Sequence, residues 1–71
     1  MNFIPVKDSS NIEAYGYDPK TQELGVKFQS GRQYVYSNVP HSAWTAFQAA
    51  TSKGKHHEAR IKPAFVGARV E

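Results

Sequence analysis

Glu23-Leu24-Gly25-Val26-Lys27-Phe28-Gln29 runs into Ser30-Gly31 and then into Arg32-Gln33-Tyr34-Val35-Tyr36. In the first run Leu24, Val26 and Phe28 alternate with Gly25 and Lys27, the pattern of a strand with one apolar face. Ser30-Gly31 reads as a tight turn and the tyrosine-rich run as the returning strand, so residues 23–36 form a β-hairpin. The register of this hairpin determines what Tyr34 and Tyr36 do. A two-residue loop pairs Val26 with Val35 and turns both tyrosines to the face of Lys27 and Arg32, an aromatic and basic platform suited to stacking bases. A three-residue loop, with Gly31 as the left-handed residue of a bulge, shifts the parity and places both rings beside Leu24, Val26 and Phe28. Gly after a polar residue suits the bulged turn, and two buried rings add core to a short chain. The core register is preferred, with the platform as its alternative.

Upstream, Ile12-Glu13-Ala14-Tyr15-Gly16-Tyr17 reads as a further strand, and Asp18-Pro19-Lys20-Thr21 as a turn whose proline has the fixed φ of position i+1. Three strands joined by short turns make an antiparallel meander. Phe3, Ile4 and Val6 form a short apolar patch broken by Pro5, which cannot donate to a ladder. The patch reads as an edge strand or an arm packed on the core; left exposed, it is a hydrophobic anchor for a protein partner. Asp8-Ser9-Ser10-Asn11 is a turn cluster.

Downstream, Pro40 suits a first helical position and His41 to about Thr51 reads as one helix. Trp44 and Phe47, three residues apart and flanked by Ala43 and Ala50, form a stripe that lies across the apolar face of the sheet. Ser52-Lys53-Gly54 is expected to end that helix, with Gly54 as its cap. Residues 55–62 allow one more short turn before Pro63, with Ile61 and Phe65 docking back on the core. The fold expected is α+β, a small antiparallel three- to four-stranded meander with one helix packed on one face. A single domain spans residues 1–62, and residues 63–71 are expected to be a flexible tail. The core should contain Ile12, Leu24, Val26, Phe28, Tyr34, Tyr36, Val39, Trp44 and Phe47.

A chain of 71 residues has room for one domain and one small core. It contains no cysteine, which excludes a disulfide framework, a thiolate zinc site and a thiol nucleophile. No apolar run is long enough to span a membrane, and Met1 to Lys7 lacks the charged region of a signal peptide, so a cytoplasmic protein is expected. The net charge is +3. Lys7, Lys20, Lys27 and Arg32 balance Asp8, Glu13, Asp18 and Glu23. The excess therefore comes from Lys53, Lys55, Arg60, Lys62 and Arg69 against Glu58 and Glu71. A neutral body with a basic end suits a polyanionic or acidic partner, although a solvated tail has the same composition.

His56 and His57 beside Glu58 resemble a metal handle, but adjacent helical residues point about 100° apart and no third ligand is spaced to join them. No metal or cofactor is expected, and the pair reads as part of a basic surface segment. No nucleophile elbow and no glycine-rich phosphate loop is present, so an enzyme is not expected. The candidate partner-binding residues are Lys53, Lys55, His56, His57, Arg60 and Lys62, with Lys27 and Arg32 from the hairpin. Cations at the end of a helix also complement its dipole, which gives the same residues a purely structural use.

Four groups carry a resemblance: Ile12 with Gly16-Tyr17-Asp18; Leu24, Val26 and Phe28 before Ser30-Gly31; Tyr34 and Tyr36 before Val39-Pro40; and Ala50 before Ser52-Lys53-Gly54. In this spacing the chain resembles the KTSC domain family over about residues 8–62. That family is named for a module at the C-terminus of some lysyl-tRNA synthetases, and it also occurs as a small stand-alone bacterial or phage protein. It usually has an aromatic pair after Ser-Lys-Gly, where this chain has Lys55-His56-His57. The resemblance implies RNA as company. Short stand-alone copies also look like phage-type factors that dock on host machinery, RNA polymerase included. The function expected is a non-catalytic, monomeric regulatory protein docking on RNA polymerase as an inhibitor or antiterminator, its basic end near nascent RNA. The alternative is a stand-alone RNA-binding module like the synthetase domain.

Overall fold

The chain lays its strands side by side in the order in which they occur. The computed structural model describes residues 1–7 and 9–70. Strands β1 (Ile4–Pro5), β2 (Ile12–Asp18), β3 (Glu23–Phe28) and β4 (Gln33–Tyr36) precede helix α1 (His41–Ala49) and helix α2 (Lys53–His56). A π-helical segment over His57–Ile61 continues α2, and β5 (Gly67–Arg69) completes an antiparallel sheet ordered β1-β2-β3-β4-β5. The α+β meander is as expected. It has five strands where three or four were anticipated, and a second helix where one was.

The hairpin adopts the bulged register. Val26 lies opposite Tyr34 and Leu24 opposite Tyr36. The loop closes through the Phe28 N–H to the Arg32 carbonyl at 2.8 Å and the Gly31 N–H to the Phe28 carbonyl at 2.9 Å. Gly31 has φ +96°, a conformation that costs glycine nothing and strains an L side chain. Tyr36 is thereby buried, while Tyr34 is half-buried against the edge of the core. The platform of both tyrosines beside Lys27 is excluded, because Lys27 faces the opposite side.

A register shift between Ile12 and Ala14 turns Ile12 to the helix side, where it is fully buried. The core under the helices comprises Ile12, Tyr15, Leu24, Val26, Tyr36, Val39, Phe47 and Ile61, with His57 buried beside them. Trp44, expected inside, is half-buried: it stacks on Tyr17 at 4.9 Å between ring centroids. The Tyr17 hydroxyl donates to the Val39 carbonyl, and the Val39 N–H donates to the Gln22 carbonyl at 2.8 Å, so the entry to α1 is tied to the β2–β3 turn. Pro40 stands one residue ahead of the helix.

The other face of the sheet has no helix. There Gly16 lies opposite Gly25, and the N-terminal arm crosses both. A Cβ at Gly16 would come within 2.5 Å of the Asn2 carbonyl oxygen. One at Gly25 would come within 2.9 Å of the Phe3 ring. The arm is thus partly packed: Phe3 and Val6 are half-buried, β1 pairs with β2 as an edge strand, and Ile4 remains 44% exposed. Of the expected turn cluster, Asp8 lies outside the described residues, as does Glu71. The Ser9 hydroxyl oxygen accepts from the N–H groups of Asn11 (3.2 Å) and Ile12 (3.0 Å).

The largest departures follow Ala50. Residues 63–70 are not a structureless extension: Phe65 packs on the core and β5 pairs with β4, Gly67 opposite Tyr36 and Arg69 opposite Tyr34. The first helix ends at Ala50, which is already extended, and Ser52 opens the second. The Ser52 hydroxyl oxygen accepts from the Lys55 N–H at 3.3 Å as an N-cap, and Gly54 lies inside α2, not at a C-terminus.

Candidate functional site

Each of the eight basic residues singled out from sequence has a definite place, and the places differ in kind. Lys53 is half-buried; its ammonium donates to the Ala50 carbonyl at 2.7 Å and lies 6.0 Å from the centroid of the Tyr15 ring. It closes the end of α1 with its side chain, so the structural use of this cation is the one realised. Lys27 lies on the helix-free face, 3.9 Å from the Glu13 carboxylate. Lys55, Arg60, Lys62 and Arg32 are exposed. Lys62 stands 3.9 Å from Glu58 one helical turn away, an exposed pair that contributes little to stability.

The two histidines do not form the basic surface segment expected of them. His56 is half-buried with its ring 5.6 Å from that of Phe47. His57 is 3% exposed, edge-on to Phe28 at 5.1 Å and to Tyr36 at 5.5 Å. The two imidazoles are thus packed among rings, His56 against Phe47 and His57 against Phe28 and Tyr36. A hydrogen bond of 2.7 Å joins the Tyr36 hydroxyl and His57 Nε2, while Nδ1 has no partner among the described residues. Burial holds the His57 imidazole below its ordinary value of 6.5, a direction that Lys62 reinforces and Glu58 opposes. His56 is lowered as well, by burial first and then by Arg60 and Lys53. Burial also pushes the Tyr36 hydroxyl above its ordinary 10.0, helped by Tyr34 and Glu58. At neutral pH the Tyr36–His57 pair is uncharged.

That pair lies at one wall of a cleft of about 390 Å³. Phe28, Tyr34 and Phe65 line it with their rings, and Arg32 and Lys62 add two cations. Tyr34 meets Phe28 edge-on at 5.9 Å and lies nearly parallel to Tyr36 at 6.4 Å. Gly67 lines it too, and a Cβ there would come within 2.5 Å of the Tyr36 ring, so the missing side chain is what lets β5 approach. Asn11 and Glu58 line this cleft and also a second, shallower depression that contains Lys55. The π-helical turn sets this geometry. Its wide step, with the Lys62 N–H donating to the His57 carbonyl five residues back at 2.8 Å, buries both His57 and Ile61 and keeps Glu58 and Lys62 at the surface.

The structure thus brings Arg32, from the middle of the sequence, and Lys62, from near its end, to one cleft, with Lys55 beside it. It leaves Lys27 on the far face and uses Lys53, His56 and His57 for packing. Phe65 and Asn11 also belong to the cleft; in the sequence Phe65, two residues after Pro63, reads only as a core residue.

The family model described as the KTSC domain matches residues 8–65. A protein of Tsukamurella paurometabola is 41% identical over 58 residues, covering 82% of this chain and 87% of that protein. A lysine–tRNA ligase of Nostoc punctiforme is 40% identical over 58 residues, but these make up 10% of the ligase against 82% of this chain. Among solved structures, the crystal structure of a KTSC domain protein from Yersinia pestis superposes with a TM-score of 0.89 at 35% identity, covering 99% of this chain and 97% of the other.

Proposed function

The chain belongs to the KTSC domain family, and we propose that it is a non-catalytic, monomeric, cytoplasmic protein of the RNA apparatus that contacts RNA with the cationic border of its aromatic cleft. The observation that carries this reading is the convergence of Arg32 and Lys62 on a cleft walled by Tyr34, Phe28 and Phe65. Cations attract phosphates without regard to sequence, and open rings offer faces to bases. The similarity to a segment of a lysine–tRNA ligase supports RNA as the partner. The imidazole of His57, the one buried in the wall of the cleft, is already bonded to the Tyr36 hydroxyl.

Binding of a fluorescent single-stranded RNA to the full chain, followed by anisotropy, tests this. Affinity should fall steeply between about 50 and 200 mM salt. Replacing Arg32, Lys55, Arg60 and Lys62 together by Ala should weaken it and flatten the salt dependence. Unchanged binding by that variant sinks the reading.

A second reading, a phage-type factor docking on RNA polymerase as an inhibitor or antiterminator, is favoured by a different surface. On the helix-free face Val35 pairs with Ala68, and flanking β5 are Val66, 81% exposed, and Val70, 53% exposed. Exposed apolar residues gathered at one sheet edge suit a protein partner. Purified bacterial RNA polymerase should then retain the parent chain but not a Val66→Asp/Val70→Asp variant.

A further inference from the structure

The cleft has a more specific chemistry than a basic surface. Its volume, about 390 Å³, is at the small end of ligand pockets and accommodates one nucleotide rather than a helix of RNA. Its walls are flat rings, of which Tyr34 is half-buried at the edge of the core. A base offers its face to a ring only when it is unpaired and unstacked. The interior carries no charge, because burial keeps the His57 imidazole neutral and the Tyr36 hydroxyl protonated. The cations, Arg32 and Lys62, are outnumbered by no acid: Glu58 balances one of them and leaves a net positive charge. An uncharged aromatic interior with an anion-seeking border matches a flat heterocycle joined to a phosphate. A guanidinium such as that of Arg32 can bind phosphate through two parallel hydrogen bonds.

We propose that this cleft takes a single unpaired nucleotide of an RNA strand, its base stacked on Tyr34 and its phosphate held by Arg32 and Lys62. The inference rests on the RNA-contact reading above and adds to it a site, a stoichiometry of one base, and a preference for single strands. An extended acidic peptide is the less suitable occupant. It would require main-chain partners, and the nearest strand edge, β5, is three residues long.

Isothermal titration of the full chain with two probes, hexaadenylate and a hexamer of the same ribose-phosphate backbone without bases, tests the proposal. Stacking of one base is worth roughly five- to a hundredfold in affinity. Hexaadenylate should therefore bind at least about fivefold more tightly than the abasic strand. Tyr34→Leu should bring the two to the same weak affinity, and Tyr34→Phe, which keeps the ring, should restore the difference. Arg32→Ala should weaken both strands by a similar factor. Thermal melting shows that each variant is folded before its binding is measured. Equal binding of the two strands by the parent chain leaves the RNA reading standing and overturns this proposal. Undiminished preference in Tyr34→Leu overturns it too. Absence of binding to either strand at low salt overturns both readings at once.

Discussion

Two groups of rings share the helix-covered face of the sheet, and they are finished differently. Under α1, Tyr15 meets Phe47 edge-on at 5.1 Å, Tyr17 stacks on Trp44 at 4.9 Å, and the Tyr17 hydroxyl is bonded to the Val39 carbonyl. That half is closed. Beside the π-helical turn, Phe28, Tyr34 and Tyr36 stand around a cleft, and the covering residue is an imidazole with one nitrogen unpartnered among the described residues. The materials are alike, since both halves take tyrosines from alternating strand positions, Tyr15 and Tyr17 in one and Tyr34 and Tyr36 in the other. The difference lies in what each is packed against. A nine-residue helix with rings three positions apart closes the first half. A four-residue helix, a wide turn and a glycine strand cover the second only in part. One apolar face is thus closed at one end and left open as a cleft at the other.

Three measurements bear on that division. The largest effect should come from Phe47→Ala. Phe47 is fully buried, so its loss should cost about 3–5 kcal/mol in urea denaturation, a large part of the stability of a domain this small. A loss under about 1 kcal/mol would show that α1 is not what holds the sheet closed. An intermediate effect is expected for Gly67→Val, because the new side chain meets the Tyr36 ring and β5 must withdraw. The cost should be about 1–3 kcal/mol. Amide exchange should localise it, with the Val70 N–H, now bonded to the Gln33 carbonyl at 2.9 Å, losing protection while those of β2 keep theirs. Equal loss across the sheet would erase the distinction between a closed half and an adjustable one.

The smallest effect is a pH dependence carried by His57 in the open half and by His56 beside Phe47. The folded chain holds His57 below the ordinary 6.5, so the unfolded state takes up a proton more readily. The stability contributed by the neutral imidazole is fully present above about pH 6.5 and is lost as pH falls through the lowered folded-state value. His56 acts in the same direction. Replacing His57 by Phe should flatten the acid limb of a stability–pH curve without abolishing it, leaving the share due to His56. A limb as steep as the parent's would mean that His57 is not held neutral.

Much of the fold was legible because its hairpin follows from local chemistry. Alternation at Leu24, Val26 and Phe28 marks the strand, and Ser30-Gly31 marks the bulge that turns Tyr34 and Tyr36 inward. The spacing of Trp44 and Phe47 marks α1 in the same way. Three features were not legible. Ser52-Lys53-Gly54 has the composition of a helix end, yet Ala50 has already left the helix and Ser52 caps the next one, inside which Gly54 is accommodated. Gly67-Ala68-Arg69 has no apolar alternation, and its strand exists because β4 offers an edge and Gly67 lets the chain approach Tyr36. His56-His57 looks polar in a list of residues; its packing against Phe47, Phe28 and Tyr36 depends on how α2 and the π-helical turn sit on the sheet. Of the candidate site, Arg32 and Lys62 were legible as charges. Their convergence was not, because it depends on the five-residue step of the π-helical turn.

The order of the strands has a consequence for how the protein meets other strands. The two edges of the sheet are the first and last strands of the chain, two and three residues long, and the first contains Pro5. Neither offers a long row of unpaired amide groups to a neighbouring chain. Extension of this sheet by a further strand has little backbone to build on, which leaves side chains as the larger part of its edges.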